Sequence, residues 1–126
     1  MIIGIGTDLI ETTRIKKAIG SKAFLIRCFT LKEIELIKGR ESSAAGCFAA
    51  KEAVAKVFGT GFSGFRPNEI EVLRDKAGKP YVNLYGDAAK IAASLGISRI
   101  HISITDTKNH AAAFAVGEGD TDESIT

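Results

Sequence analysis

The sequence predicts an α+β fold in which a mainly antiparallel sheet packs against helices. Stretches with alternating apolar residues occur in pairs joined by short turns, and helical stretches lie in separate blocks between them. The chain has 126 residues, 45% of them hydrophobic and 25% charged, as is usual for a globular domain. A chain of this length buries one core, so we expect a single domain over residues 1–117 and a disordered acidic tail over residues 118–126.

The first third of the chain predicts one strand followed by several short helices. The run IIGIGTDLI has the composition of a strand, although its two glycines weaken it. A helix can begin at Thr12 or Thr13 and stop at Gly20, and Ser21 can cap a second one. The segment TLKE, which begins at Thr30, has capping-box spacing and predicts a third helix.

The longest predicted helix begins near Ser42 or Ser43 and ends at Gly59. Lys51 and Glu52 lie in its middle, with apolar residues on both sides. Neighbouring residues of a helix point about 100° apart, so Lys51 cannot readily pair with Glu52. Glu52 is therefore exposed, or pairs with a distant lysine, or binds a metal ion together with another carboxylate.

The second half of the chain predicts two hairpins with a helix between them. In NEIEVLRD, Ile70 and Val72 alternate with Glu69 and Glu71, which predicts a strand with one apolar and one acidic face. The turn DKAG and the run KPYVNLY complete this hairpin. GDAAKIAASLG predicts a helix capped by Asp87, and RIHISIT, DTKN and HAAAFAV predict the second hairpin, so that a sheet of about five strands results.

Charge is unevenly distributed along the chain. The totals nearly balance, with 17 Lys and Arg against 15 Asp and Glu, but the segment from Thr12 to Arg40 is strongly basic. Such a segment forms a surface for an acidic partner or is simply the solvated side of helices. Cys28 and Cys47 are too few for a disulfide framework or a zinc site. Because the sequence also shows no membrane span and no signal peptide, we expect a cytoplasmic protein.

The remaining local signals are weak. The loop GTGFSG lets a backbone approach a phosphate or a planar ring closely, but it matches no phosphate-binding fingerprint and is equally a connector. His101 and His110 have no second ligand at metal spacing, so ordinary strand positions are the better interpretation.

Four stretches in a fixed order identify a family. They are GIGTDLIE at residues 4–11, FAAKEAVAKVFGTG at 48–61, GKPYV at 78–82 and HISITDTKNHAAA at 101–113. Together they resemble the holo-[acyl-carrier-protein] synthases, the small bacterial class of phosphopantetheinyl transferases, over residues 1–117. The resemblance implies the fold of that family and a reaction of fatty acid biosynthesis. In it, the 4'-phosphopantetheine group of coenzyme A moves to a serine hydroxyl of apo acyl carrier protein, and adenosine 3',5'-bisphosphate is released.

The resemblance also implies the site residues. In the family, Mg²⁺ is bound by the aspartate of the first motif and the glutamate of the K-E-A motif, which are Asp8 and Glu52 here. Glu52 would help to deprotonate the serine, directly or through a metal-bound water, and Lys51 would contact phosphate. The residues expected to line coenzyme A are Lys56, Gly59, Thr60, Gly61, Lys79, Pro80, Ser103 and Arg40.

Partners follow from the same resemblance. Arg14 matches an arginine with which the family docks its acidic carrier protein, and Lys22 and Arg27 would assist. The family assembles as a homotrimer with active sites between subunits, and it implies neither a nucleic acid nor a membrane as partner.

The sequence departs from the family pattern at two positions. Cys47 stands where many relatives have an arginine, so a phosphate contact is missing or is supplied by Arg40. Asp106 stands where many have a histidine, so a histidine role at that position does not transfer.

Two other classes of function stay open from the residues alone. One is a non-catalytic module that binds nucleotides or nucleic acid through the basic helices, although the sequence has no Trp and offers few aromatic stacking platforms. The other is a structural oligomeric domain without chemistry, against which the retention of Asp8, Lys51 and Glu52 argues.

Overall fold

The computed structural model describes residues 1–38 and 40–120. Its elements in chain order are β1 (Ile2–Glu11), α1 (Thr12–Ala18), α2 (Lys22–Cys28), α3 (Leu31–Ile37), α4 (Glu41–Phe58), a 3₁₀ turn (Pro67–Glu69), β2 (Ile70–Arg74), β3 (Pro80–Leu84), α5 (Gly86–Ser94), β4 (Arg99–Asp106) and β5 (His110–Glu118). This order confirms the predicted α+β class. Within the described ranges, no helix is long and apolar enough to cross a membrane.

The strands form two antiparallel sheets. The larger sheet has the order β1-β5-β4, and β2 pairs with β3 in a separate hairpin. Antiparallel pairing is confirmed, but the strands do not join into the one sheet that the sequence predicted. The ends of β3 and β4 lie next to each other across an open cleft of about 460 Å³, which is lined by residues 82–85 and 97–100.

Helix α4 packs against the larger sheet and forms the centre of the core. Many of its buried side chains are alanines, among them Ala45, Ala49 and Ala53, each with 0% of its surface exposed. Strand β1 lies directly against this helix, because a Cβ atom at Gly6 would overlap the carbonyl oxygen of Ala53. The glycines that weaken β1 as an isolated strand therefore allow its close contact with α4.

The predicted beginnings of α2 and α3 are confirmed. The hydroxyl of Ser21 accepts a hydrogen bond from the Phe24 N–H group at 3.3 Å. Thr30 and Glu33 form the complete capping box of α3, in which each side chain accepts from the backbone of the other residue. These caps involve residues three positions apart, so the local sequence was sufficient to predict them.

The cap of α5 comes from a distant residue, and the prediction that Asp87 supplies it is wrong. Oε1 of Glu69 accepts from the N–H groups of Asp87 at 2.6 Å and Ala88 at 3.2 Å. Its other oxygen accepts from the Arg66 N–H group at 2.8 Å. Gly86 lies beside this carboxylate with φ at +54°, where a Cβ would be 2.6 Å from Oε1.

Glu71 is buried, although it alternates in sequence with the apolar residues Ile70 and Val72 of β2. Only 3% of its surface is exposed. Its carboxylate accepts hydrogen bonds from the hydroxyls of Thr30 at 2.6 Å and Tyr85 at 2.8 Å, and from the Asn83 amide at 3.2 Å. These donors come from other parts of the chain and offset the cost of burying the charge.

The folded domain extends beyond the predicted boundary at residue 117. Strand β5 ends at Glu118, and Arg99 lies 3.2 Å from both the Glu118 and the Asp120 carboxylates. The amino group of Met1 donates to the Gly119 carbonyl at 2.7 Å. The tail prediction is therefore wrong for residues 118–120, and residues 121–126 lie outside the described part of the chain.

Candidate active site

Asp8, Glu52 and Lys56 come together where β1 packs against α4. Asp8 lies on the face of β1 that contacts the helix, because Gly6, two residues earlier, touches the helix backbone. Glu52 and Lys56 are one turn apart on α4. Lys56 Nζ lies 3.4 Å from Asp8 Oδ1 and donates to the carbonyl oxygen of Thr7 at 2.9 Å. The sequence placed these residues in separate motifs, and the fold makes them neighbours.

The surroundings of Glu52 disfavour its negative charge. Burial raises the pKa of its carboxyl group, and the charge of Asp8 raises this pKa further. Lys56 and Arg14 act in the opposite direction, but the pKa stays above its usual value. Two neighbouring carboxylates that are only partly compensated would be stabilised by a bound cation.

The residues at this position fit Mg²⁺. It is a hard cation, and proteins commonly hold it with one or two carboxylates while water and phosphate oxygens complete the coordination. Asp8 and Glu52 are such a pair. Within residues 1–38 and 40–120 there is no cluster of three or more His, Cys, Asp or Glu side chains that could hold a metal ion.

Lys51 does not lie at this cluster, and the prediction that it contacts phosphate is wrong. Its side chain is 0% exposed, and its Nζ lies 2.7 Å from Oε1 of Glu33. It also donates to the carbonyl oxygens of Pro67 and Ile70. All three ammonium protons are therefore used inside the protein. The position of Lys51 in the motif did not reveal this direction, and Glu33, its partner, was not among the predicted site residues.

Cys47 belongs to the same buried region. It precedes Lys51 by one turn, and its Sγ lies 3.1 Å from Oε2 of Glu33. Burial raises the pKa of the Cys47 thiol well above its usual value, so the group stays neutral near pH 7. Cys47, where the resemblance led us to expect an arginine, is therefore part of an internal hydrogen-bond network in this chain.

Arg40 lies near Cys47, as a substitute for a missing arginine would have to. A cavity of about 180 Å³ is lined by residues of α3, α4, β2 and β4, including Arg40, Ser43, Cys47 and Arg74. Arg74, which also lines this cavity, was not among the predicted site residues. It is the last residue of β2, and nothing in the neighbouring sequence distinguishes it from a solvent-exposed base.

The turn after α4 is accessible to a ligand. Gly59 has φ at +82° and Gly61 has φ at +62°, and no atom lies within 4 Å of where a Cβ would be at either residue. Thr60 lies between them and is exposed. This turn begins three residues after Lys56, so the open backbone and the charged cluster occupy the same end of α4.

The other residues expected to line coenzyme A lie elsewhere in the chain. Lys79 and Pro80 lie at the turn between β2 and β3, where the Lys79 N–H group donates to the Asp75 carboxylate at 2.9 Å. Ser103 pairs with Phe114 on the outer face of the larger sheet, which points away from α4. A single chain therefore does not bring Ser103 to Asp8.

The three bases predicted to dock a carrier protein lie on the surface of α1 and α2. Arg14, Lys22 and Arg27 are all exposed. Arg14 is close enough to Glu52 to lower the pKa of that carboxyl group. Ile26, next to Arg27, has 66% of its surface exposed, so the basic surface also offers an apolar contact. Of these bases, Arg14 is the one that adjoins the carboxylate cluster.

On the outer face of the larger sheet, β1 and β5 expose large apolar side chains, which the residue-by-residue prediction missed. Ile5, Leu9 and Phe114 have 62%, 69% and 50% of their surface exposed. The signal was present in β1, where apolar residues occupy both faces, because a strand with one solvated face normally alternates with polar residues.

Comparisons with known proteins agree with the motifs. The model of the 4'-phosphopantetheinyl transferase superfamily matches residues 4–115. A holo-[acyl-carrier-protein] synthase from Lachnoclostridium phytofermentans is 53% identical over 118 residues, which cover 94% of this chain and 97% of that protein.

Solved structures lead to the same family. The holo-acyl-carrier-protein synthase of Plasmodium yoelii matches with a TM-score of 0.84 at 35% identity, covering 96% of this chain and 98% of that one. The enzyme of Helicobacter pylori, in complex with coenzyme A, gives a TM-score of 0.82 at 28% identity, with 90% and 99% covered. The chain therefore belongs to the holo-[acyl-carrier-protein] synthases of the 4'-phosphopantetheinyl transferase superfamily.

Proposed function

We propose that this chain transfers the 4'-phosphopantetheine group of coenzyme A to a serine hydroxyl of an apo acyl carrier protein, in fatty acid biosynthesis. The second product would be adenosine 3',5'-bisphosphate. Family membership supports the reaction class, and the Helicobacter pylori relative binds coenzyme A. The observation in this chain that carries the proposal is the meeting of Asp8, Glu52 and Lys56 beside the base Arg14.

Each residue of the cluster has a distinct role in this proposal. Asp8 and Glu52 would hold Mg²⁺, which when bound neutralises the charge of a diphosphate. Glu52 is also the group best placed to accept the proton of the serine hydroxyl, directly or through a water, because its raised pKa makes it a stronger base. Lys56 can turn from Asp8 to a phosphate oxygen, since its ion pair is long at 3.4 Å and its side chain is 53% exposed.

The basic surface of α1 and α2 would bind the acidic carrier protein. Arg14, Lys22 and Arg27 supply positive charge, and Ile26 supplies an apolar contact. Attraction between opposite charges would mainly accelerate and orient the encounter. The variant Arg14→Glu should therefore raise the apparent KM for the carrier more than that for coenzyme A. Equal effects on both constants in steady-state kinetics would contradict this docking surface.

We also infer that the chain forms a homotrimer with sites between subunits. The exposed apolar face of the larger sheet supports association, because a patch that includes Ile5, Leu9 and Phe114 is costly to leave in water. Ser103 lies on this same face. A neighbouring subunit on the face would place Ser103 at the subunit boundary, where the family resemblance expects coenzyme A.

The decisive experiment measures the mass of the carrier protein. Incubation of the chain with coenzyme A, Mg²⁺ and apo acyl carrier protein should shift the carrier's mass by one phosphopantetheine group. The variants Glu52→Gln and Asp8→Asn should abolish the shift while remaining folded. Glu35→Gln is the matched control, because it removes an exposed α3 carboxylate that pairs only with Lys38 in the described structure. The absence of a shift with several carriers and folded protein would refute the function.

A further inference from the structure

A second charged group is buried beside the candidate site. The side chains of Lys51 and Glu33 are both 0% exposed, and the charged atoms are 2.7 Å apart. The two remaining protons of Lys51 go to the backbone carbonyls of Pro67 and Ile70. These carbonyls lie just before and at the beginning of β2, so Lys51 attaches α4 to that segment.

Glu33 receives hydrogen bonds on both of its oxygens. Oε1 accepts from the Thr30 N–H group at 2.8 Å as well as from Lys51. Oε2 accepts from the Val72 N–H group at 2.7 Å and from the Cys47 thiol at 3.1 Å. One carboxylate thereby connects the beginning of α3, two turns of α4 and the middle of β2.

Hydrophobic burial is not confined to one face of α4. From Ala44 to Phe58 all residues are buried except Glu52 and Lys56. Six of the buried side chains are alanines, which resist a turn of the helix about its axis less than Phe48 does, whose ring packs among three other phenylalanine rings. A helix that is buried nearly all round needs directional contacts to select one rotation.

The contacts to Glu33 are directional, and they act on two successive turns of α4 through Cys47 and Lys51. Because adjacent helix residues point about 100° apart, fixing Lys51 also fixes the direction of Glu52. We propose that Lys51 and Glu33 are positioning residues: their buried ion pair sets the rotation of α4 and thereby holds Glu52 toward Asp8. Both side chains are fully buried, so we assign them no contact with substrate, and the inference rests on the proposed role of Glu52 as a metal ligand.

The first test measures binding of a divalent cation rather than activity. The double variant Lys51→Met, Glu33→Leu removes both charges, so no uncompensated charge remains buried. With Mn²⁺ as the probe, electron paramagnetic resonance should show at least tenfold weaker binding to this variant than to the wild-type chain. Should the double variant fail to fold, Glu33→Gln serves instead, since an amide nitrogen donates and cannot accept the hydrogen bonds that a carboxylate oxygen of Glu33 now receives. Wild-type affinity for Mn²⁺ in either folded variant would overturn the inference.

The matched control for general destabilisation is Glu71→Gln. Glu71 is also a buried carboxylate, with 3% of its surface exposed, but its side-chain donors are Thr30, Asn83 and Tyr85 rather than residues of α4. This variant should lose stability and keep the wild-type affinity for Mn²⁺. A loss of affinity as large as that of the double variant would show that the effect is not specific to the ion pair.

A second readout needs no metal and separates the two proposals. In metal-free protein, Glu52→Gln removes a half-buried charge and its repulsion with Asp8, and should raise Tm. This gain should be smaller when the same substitution is made in the double variant, because Glu52 no longer faces Asp8. Absence of Mn²⁺ binding in the wild-type chain, together with a background-dependent gain in Tm, would refute the metal role and retain the positioning role. An equal gain in both backgrounds would refute the positioning role.

Discussion

The two charged residues in the middle of α4 differ in how far the surrounding protein compensates their charges. Lys51 is fully buried, lies 2.7 Å from Glu33 and uses every proton within the chain. Glu52, the next residue, is only half-buried and has a like charge, Asp8, as an important neighbour. The charge of Lys51 is compensated within the chain without a ligand, whereas a bound cation would stabilise the carboxylates of Glu52 and Asp8. Adjacent residues of one motif can therefore divide into a structural and a chemical role, and the completeness of their charge compensation tells them apart.

The largest expected effect on stability comes from removing the charge of Lys51. Lys51→Met leaves the Glu33 carboxylate buried without its counter-charge, which should lower the free energy of unfolding by about 3–5 kcal/mol. Urea denaturation followed by circular dichroism measures this loss. The control Lys38→Met disrupts an exposed pair with Glu35 and should cost less than about 1 kcal/mol. Equal losses in the two variants would remove the distinction between a buried and an exposed pair.

A smaller effect is expected when the distance between β1 and α4 is increased. Gly6→Ala would place a methyl group against the Ala53 carbonyl, and overpacking of this kind costs typically about 1–3 kcal/mol. Since Asp8 lies two residues further along β1, the transfer rate should fall as well. Thermal unfolding and the carrier mass assay measure the two effects. Gly20→Ala, at the exposed end of α1, should change neither by a comparable amount.

The contribution of Glu52 to the stability of the metal-free protein should change with pH in a defined direction. Because burial and then the charge of Asp8 raise the pKa of Glu52 in the folded protein, its contribution to stability is largest below the carboxyl pKa of the unfolded chain. This contribution is lost as the pH rises through the higher folded pKa. Glu52→Gln should therefore raise Tm of the metal-free protein at neutral pH, and the advantage should shrink as the pH falls.

Differential scanning fluorimetry at several pH values in the presence of EDTA tests this expectation. The sign of the difference matters more than its size, since the side chain is partly exposed. A lower Tm for Glu52→Gln at neutral pH would show that ionised Glu52 stabilises the metal-free fold.

The smallest effect concerns Cys47, at the edge of the buried network. Cys47→Ala removes one of the hydrogen bonds to Glu33 and should cost about 1 kcal/mol. Because burial raises the pKa of its thiol, Cys47 should react slowly with iodoacetamide in the folded protein and rapidly in urea. Mass spectrometry of the alkylated peptides distinguishes it from Cys28. Rapid modification of folded Cys47 would place this residue outside the network.

Local interactions explain most of the fold that the sequence predicted correctly. The capping box of Thr30 and Glu33 and the Ser21 cap join residues three positions apart, so their spacing is visible in the chain. Glu69 caps a helix that begins well after it, and Glu71 is buried by donors from two other segments. Alternation of residue types does not encode such contacts, because they depend on how the elements pack.

The motifs predicted which residues belong to the candidate site, but not the direction in which each side chain points. Asp8, Glu52 and Lys56 were predicted from the resemblance, and the contact of β1 with α4 places them together. Lys51 was assigned to the same site because it belongs to the same motif. The partner that draws it inward, Glu33, lies on another helix and carries no sequence signal of burial.

The carboxylate of Glu69 has a consequence for local unfolding. One side chain accepts from the amide of Arg66 at the 3₁₀ turn and from the amides of Asp87 and Ala88 at α5. Opening either segment deprives the other of a partner, so the two should open together as one cooperative unit. Amide hydrogens of the 3₁₀ turn and of the first turn of α5 should then exchange with solvent deuterium at a shared rate, although almost twenty residues separate them in the chain.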